Sequence, residues 1–311
     1  MTAICHTVLT ERGLLHFEGD DARNFLQGQL TCDVAGLSND ASTFGAYCTP
    51  KGRVLATFLL WQTTTGYLMQ LPRALLAAVQ KRLSMYILRS KVKVSDASAM
   101  HAQLGVAGAA AAALVERAAG AAPDAQHKVS RTEACYALKL PGDRYLLVIA
   151  REREAAAIGM LESASQSRNE SWWDALDIAA GVATVLPETQ EQFVPQMLNL
   201  DATGGVSFDK GCYPGQEIVA RMHYLGRLKE RMFRARVAAS AMPRPGDKIY
   251  GADLGTQAAG MIANAAPAED GTFDVLVVAR LSSIAAGPVR LAAADGPELV
   301  IEQLPYALPQ K

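Results

Sequence analysis

At 311 residues, half of them apolar, the chain is long enough to bury a sizeable core and to divide into two or three units. Its formal net charge of −1 excludes a global field that would gather nucleic acid or an anionic membrane, and leaves only local basic patches. No stretch reaches the ~20 apolar residues of a membrane span. Met1 to Glu18 carries charges without a signal core, a cleavage pattern or the acid-poor, Arg-rich texture of a mitochondrial presequence.

Taken in chain order, Gly13 to Glu18 reads as a short strand, and Asp20 or Asp21 can cap a helix carrying Phe25 and Leu26. Strands are predicted over 44–48, 53–62 and 67–71, separated by Pro50-Lys51-Gly52 and Thr65-Gly66. Pro72 suits a helix's first turn. Leu75, Leu76, Val79, Leu83, Tyr86 and Ile87 follow at helical spacing, and a strand returns over 91–95. Residues 105–125 are Ala-rich and predict a helix closed by Gly120 and Pro123. Two strands over 135–140 and 144–150 turn at Pro141-Gly142-Asp143, and a further helix covers roughly 151–165. This irregular alternation favours α+β over a doubly wound sheet.

Beyond about Arg231 short apolar runs alternate with Gly, Pro and Asp, the texture of a small barrel or sandwich. The expected division is therefore 1–230 and 231–311. The densest basic run, Arg227, Lys229, Arg231, Arg234 and Arg236, reads as a solvated strand face.

The five cysteines (Cys5, Cys32, Cys48, Cys135, Cys212) are scattered and never form CxxC, so no zinc or iron–sulfur motif is present and a reducing compartment, the cytoplasm, is expected. One of them stands in Lys210-Gly211-Cys212-Tyr213-Pro214-Gly215-Gln216-Glu217. Positive charge raises a thiol's thiolate fraction, and Lys210 lies two residues away. Gly211 and Gly215 permit positive φ and close backbone approach, and Pro214 fixes the path. The segment reads as a rigid loop presenting Cys212; a buried, inert cysteine on a tight turn fits the same residues. Glu217 and Arg221 stand at i,i+4, where a helix-surface ion pair is the plain reading. The five histidines show no metal-ligand spacing.

That octapeptide resembles the K-G-C-[FY]-x-G-Q-E signature of the YgfZ family, folate-binding proteins related to the aminomethyltransferase (T-protein) of the glycine cleavage system. Phe25 to Val34, Phe193 to Leu200 and Leu304-Pro305-Tyr306 resemble further family blocks in the same order. The resemblance implies a T-protein-like α+β body of two subdomains, 1–230, with a small C-terminal β-barrel, 231–311. It also implies tetrahydrofolate or a derivative in a central hole lined by Trp173, and a Cys212 near its opening. The function implied is support of iron–sulfur cluster assembly or repair in client proteins. Transfer RNA modification is then affected indirectly, by a monomer with no direct nucleic-acid or membrane partner.

The sequence departs from the pattern at three places. Arg12 stands where the family has a second folate-contacting tryptophan, and an Arg can stack or hold folate's glutamate tail. Ala179-Ala180-Gly181 replaces an E-A-G run whose carboxylate holds the pterin edge in T-proteins. Ala56 and Thr57 stand where T-proteins carry paired aspartates. Aminomethyl transfer is therefore not expected. The alternatives are a folate-dependent one-carbon transferase and a folate-free interaction module.

Overall fold

Each of the two units of the chain is assembled from separated segments. One comprises Met1–Gln27, Asp33–Thr43 and Phe58–Trp173; the other comprises Gly28–Cys32, Phe44–Thr57 and Asp174–Lys311. The structure, a computed structural model, describes residues 3–226 and 228–309.

The chain opens with β1 (Cys5–Val8), β2 (Arg12–Glu18), α1 (Ala22–Gln27), β3 (Ser42–Cys48), β4 (Val54–Gln62) and β5 (Gly66–Pro72). It continues through α2 (Arg73–Ser84), β6 (Lys93–Asp96), β7 (His101–Ala107), α3 (Ala111–Ala119), β8 (Val129–Arg131), β9 (Cys135–Leu140) and β10 (Arg144–Ala150). Then come α4 (Glu154–Glu162), β11 (Gln166–Ser167) and α5 (Glu170–Ala179). A five-stranded sheet runs β3-β4-β5-β2-β6. All but the last residue of β4 is buried, the unbroken apolar run of a strand covered on both faces. Helix α2 turns Leu75, Leu76, Val79 and Leu83 inward, and Gly13 makes room, since a Cβ there would lie 2.4 Å from Leu76 Cδ1.

A second sheet in the first unit runs β11-β1-β7-β10-β9-β8, with α3 and α4 packed on it through Leu104, Leu114, Val115, Leu147 and Leu161. The Ala-rich stretch is therefore only partly helical. Residues 105–107, Gly-Val-Ala, complete β7, which pairs with both β1 and β10; two ladders of backbone hydrogen bonds hold them extended, and glycine and valine are weak helix formers. Helix α3 ends at Gly120 in the left-handed conformation, φ 81°. Helix α2 stops at Ser84, short of the predicted Tyr86 and Ile87.

The second unit adds α6 (Gln216–Tyr224), β12 (Glu230–Val237), β13 (Lys248–Gly251), β14 (Ala258–Pro267) and β15 (Phe273–Arg280). It ends with α7 (Leu281–Ala286), β16 (Val289–Leu291) and β17 (Glu298–Glu302). The six strands close into a barrel, β12-β15-β14-β13-β16-β17, filled by Ala235, Ile249, Ile262, Val275, Val277 and Leu299. Closure removes exposed strand edges. The fold class is thus α+β with a C-terminal barrel. Among the described residues no helix is long and apolar enough to cross a membrane.

The basic run of the barrel is not a solvated face. Arg231 is buried and forks onto Asp201, Nη1 to Oδ1 at 2.9 Å and Nη2 to Oδ2 at 2.8 Å, while Nη1 also donates to Asn199 Oδ1 and the Gln196 carbonyl. Arg234 pairs with Glu302 at 2.8 Å, and Arg236 with Asp274 and Asp270 at 3.1 and 3.3 Å. Lys229 is exposed, and Arg227 lies outside the described residues. Arg231→Ala leaves a buried carboxylate unpaired and should cost about 3–5 kcal/mol. Arg236→Ala, on a half-exposed rim, should cost no more than about 1 kcal/mol. Urea unfolding midpoints compare the two, and equal losses would overturn this ranking.

Candidate functional site

The 210–217 loop is held from both ends within the second unit. Lys210 Nζ donates to the carbonyls of Leu30 and Cys32 at 2.7 and 2.8 Å and lies 5.2 Å from the centre of the Tyr213 ring. Its ammonium thus anchors the loop to segment 28–32. That segment is itself bound by Thr31, whose hydroxyl donates to the Gly205 carbonyl at 2.6 Å and accepts from the Ala46 amide at 2.8 Å.

At the other end Gly215 starts α6 with φ 85°. A Cβ there would lie 2.5 Å from the Thr49 carbonyl oxygen and 2.6 Å from Gly52 Cα, while Gly52, itself at φ 70°, faces Gly215 and Ile218. Two glycines back to back let the loop and the 49–52 turn meet at backbone distance. Gly211 differs from the expectation: its φ is not positive and nothing lies within 4 Å of where its Cβ would be.

Between these anchors Cys212 is exposed, whereas Cys5, Cys32, Cys48 and Cys135 are buried. Burial pushes the Cys48 thiol far up and that of Cys135 to about 12. Tyr213 turns inward, and burial raises its phenol, with the thiols of Cys48 and Cys32 adding to the shift. Glu217 and Arg221 share α6 and are both exposed, with no ion pair between them among the described residues. His223 stacks on Phe208, ring centres 3.7 Å apart, and meets Tyr224 edge-on.

The other predicted site residues divide between the two units. Trp173 is 2% exposed in the first unit, its indole against Gly105, where a Cβ would lie 2.4 Å from the ring, with the Arg144 guanidinium 5.1 Å from its centre. Trp172 is half-buried. Arg12 opens β2, is buried, and its carbonyl accepts from Gln103 Nε2 at 2.7 Å. In the second unit, Ala179 ends α5, and Gly181 follows at φ 66° with the Tyr306 hydroxyl donating to its carbonyl at 2.8 Å. Ala56 is buried in β4, and the Thr57 hydroxyl accepts the Val185 amide at 3.0 Å.

Sequence reading missed a cleft of about 280 Å³ in the first unit, lined by Thr10, Arg73, His101, Gln103, Arg151 and Glu154. These residues come from distant segments, and no local pattern joins them. Among the described residues no cluster of His, Cys, Asp and Glu could hold a metal ion.

The two loop glycines should separate on mutation. Gly215→Ala forces a Cβ into backbone at a left-handed φ and should cost more than about 1–2 kcal/mol. Gly211→Ala should stay within about 0.5 kcal/mol. Thermal melts of both variants decide, and equal stability would refute the close approach.

No family model matches the chain. It is 34% identical over 310 residues to the tRNA-modifying protein YgfZ of Photobacterium profundum, covering 97% of this chain and 92% of that protein. The Yersinia enterocolitica protein of the same name is 33% identical, with 96% and 92% covered. Among solved structures, the glycine cleavage system aminomethyltransferase T of Bartonella henselae superposes with a TM-score of 0.75 at 14% identity, covering 97% of this chain and 86% of that one. That likeness establishes the T-protein fold, and the near-full-length identity to two bacterial relatives carries the assignment further: the chain belongs to the YgfZ family.

Proposed function

We propose that the protein is a folate-binding accessory factor that supports assembly or repair of iron–sulfur clusters in client proteins, and that it works through Cys212. The carrying observation is that Cys212 alone of the five thiols is exposed, on a loop clamped by Lys210 and Gly215. Such a loop offers sulfur to a partner without reorganising. One cysteine cannot hold a cluster, so client or small-thiol ligands complete the set, and the contact is transient. The relatives are named tRNA-modifying proteins; here that modification follows from the clusters of client enzymes.

Reactivity follows from access and ionisation together. Lys210 spends its ammonium on two carbonyls, so its contribution is to hold the loop. Iodoacetamide competition near neutral pH should label Cys212 first, because burial keeps the Cys48 and Cys135 thiols protonated there. Cys212→Ser should fold normally yet fail to restore iron–sulfur enzyme activity in a strain lacking the protein, above all under oxidative stress. Full complementation would overturn the thiol mechanism.

The ligand in this reading is a reduced folate, a carrier of one-carbon groups, with Arg12 as the cation for its anionic tail and Trp173 as part of the wall. Gly105 and Arg144 already cover much of the indole, so Trp173 shapes the site more than it offers an open stacking face. Trp173→Ala would also open a core cavity costing about 3–5 kcal/mol. Trp173→Phe is the cleaner probe. It should weaken tetrahydrofolate binding in a fluorescence titration read on Trp61 and Trp172, because the smaller ring withdraws part of the wall. Unchanged affinity in the folded variant would remove Trp173 from the site.

A further inference from the structure

The formal charge of −1 conceals a segregation along the chain. Between Asp40 and Asp96 there is no aspartate or glutamate, yet eight lysines and arginines fall there, two before Arg73 and six from Arg73 to Lys93. Those six, Arg73, Lys81, Arg82, Arg89, Lys91 and Lys93, belong to α2, the turn beyond it and β6, all in the first unit.

Helix α2 buries its leucines and valine and exposes Arg73, Ala74, Ala77, Ala78 and Lys81. Twelve residues make a face roughly 18 Å long. Its alanines are short enough for a polyanion to lie close, and the helix has no carboxylate to repel one. Beyond Ser84 the chain leaves Met85, Tyr86 and Leu88 in water at 62%, 43% and 87% exposure. This knuckle is anchored at both ends. Leu83 is fully buried, and the Lys91 amide donates to the Asp21 carboxylate at 2.7 Å, while a Cβ on Gly19 would lie 2.1 Å from the Lys91 carbonyl oxygen.

Carboxylates gather at the Lys91–Lys93 end of the surface, where Asp21 accepts from the Lys91 amide and Asp96 ends β6. Glu18 lies opposite Lys93 in the β2–β6 register, Asp20 is 3.9 Å from Lys91, and the Glu11 carbonyl accepts from the Arg73 amide. Lys81, Arg82 and Arg89 have no ion pair among the described residues.

We infer that this face docks RNA, with the cations of α2 and the knuckle against phosphates and Tyr86 under an unstacked base. Phosphate neutralisation supplies sequence-independent affinity, and an aromatic ring beside cations is the platform on which single-stranded bases stack. A membrane surface fits less well. A helix lying in lipid needs large apolar side chains along its whole exposed face; α2 shows alanines there, and Met85, Tyr86 and Leu88 are confined to the knuckle. This goes beyond the function proposed above, in which RNA is reached only through client enzymes.

Fluorescence anisotropy with a labelled, unmodified tRNA transcript tests it, at about 50 and about 200 mM salt. Binding should fall steeply with salt. Lys81→Glu with Arg89→Glu should weaken it at least about tenfold and flatten the salt slope by about two. Tyr86→Ala should weaken it about fivefold or more with the slope unchanged. Arg244→Glu with Lys248→Glu, the same charge change at exposed positions on the second unit, is the control and should change little. All these side chains are at the surface, and thermal melts verify folding; Lys81→Gln with Arg89→Gln replaces the reversal if it does not fold. Absent tRNA binding at low salt, equal losses in both charge-reversed proteins, or binding to phosphatidylserine vesicles without binding to tRNA would each overturn the inference.

Discussion

The second unit is organised around one buried cation. Arg231 is the second residue of the barrel's opening strand, and its fork is completed by Asp201, by Asn199 and by the Gln196 carbonyl. Asn199 is itself buried at a left-handed φ of 57°, which an asparagine tolerates better than most residues, and its amide donates to the Met232 carbonyl. The Tyr306 hydroxyl reaches both Asn199 and the Gly181 carbonyl. Four stretches distant in sequence, near 181, 199, 231 and 306, therefore converge on one hydrogen-bonded cluster. A buried ion pair of this kind is weak evidence for stability, because desolvation offsets much of the attraction. It does specify one arrangement, since any other leaves a charge unpaired in the interior.

The cysteine loop follows a different rule. It is held on backbone groups: the Lys210 ammonium on two carbonyls, Gly215 against Gly52, and Gln216 Nε2 donating back to the Lys210 carbonyl at 3.3 Å. Such a scaffold places no side-chain demand on Cys212 and leaves its sulfur outside. Tyr213, the next residue, is drawn inward beneath it toward Cys32 and Cys48. The alternation of exposed Cys212 and buried Tyr213 is what separates a presented thiol from a structural one in this chain.

Much of this was legible in residue order. The alternating apolar runs after 231 announced a small barrel or sandwich, and the family resemblance chose the barrel. Gly215 was legible as a conformational requirement. Gly211 was not distinguishable from it, since a glycine needed for φ and one with open space around it look alike in sequence. The strand end at Gly105-Val106-Ala107 was hidden by the alanine run that follows it, and pairing on two sides holds it extended. Arg231 as a buried hub could not be read from its basic neighbours, because its partners lie some thirty residues upstream. The packing of Trp173 against Gly105 was hidden for the same reason.

The two basic runs show why a charge count alone misleads. Arg231, Arg234 and Arg236 stand on a barrel strand whose neighbours, and the segment at Asp201, bring carboxylates within 3.3 Å of each. Antiparallel pairing does much of this, since β12 lies between β15 and β17 and both contribute acids at matching register. Lys81, Arg82 and Arg89 come from a helix and the turn after it, drawn from an interval with no acidic residue at all. Helix α2 spends its apolar face on the sheet beneath, and among the described residues no carboxylate pairs with Lys81, Arg82 or Arg89. The run that looked densest in sequence is thus neutralised by the fold. The sparser one keeps its field, and that field, with an effective reach set by the roughly 10 Å screening length of the solvent, is available to a partner.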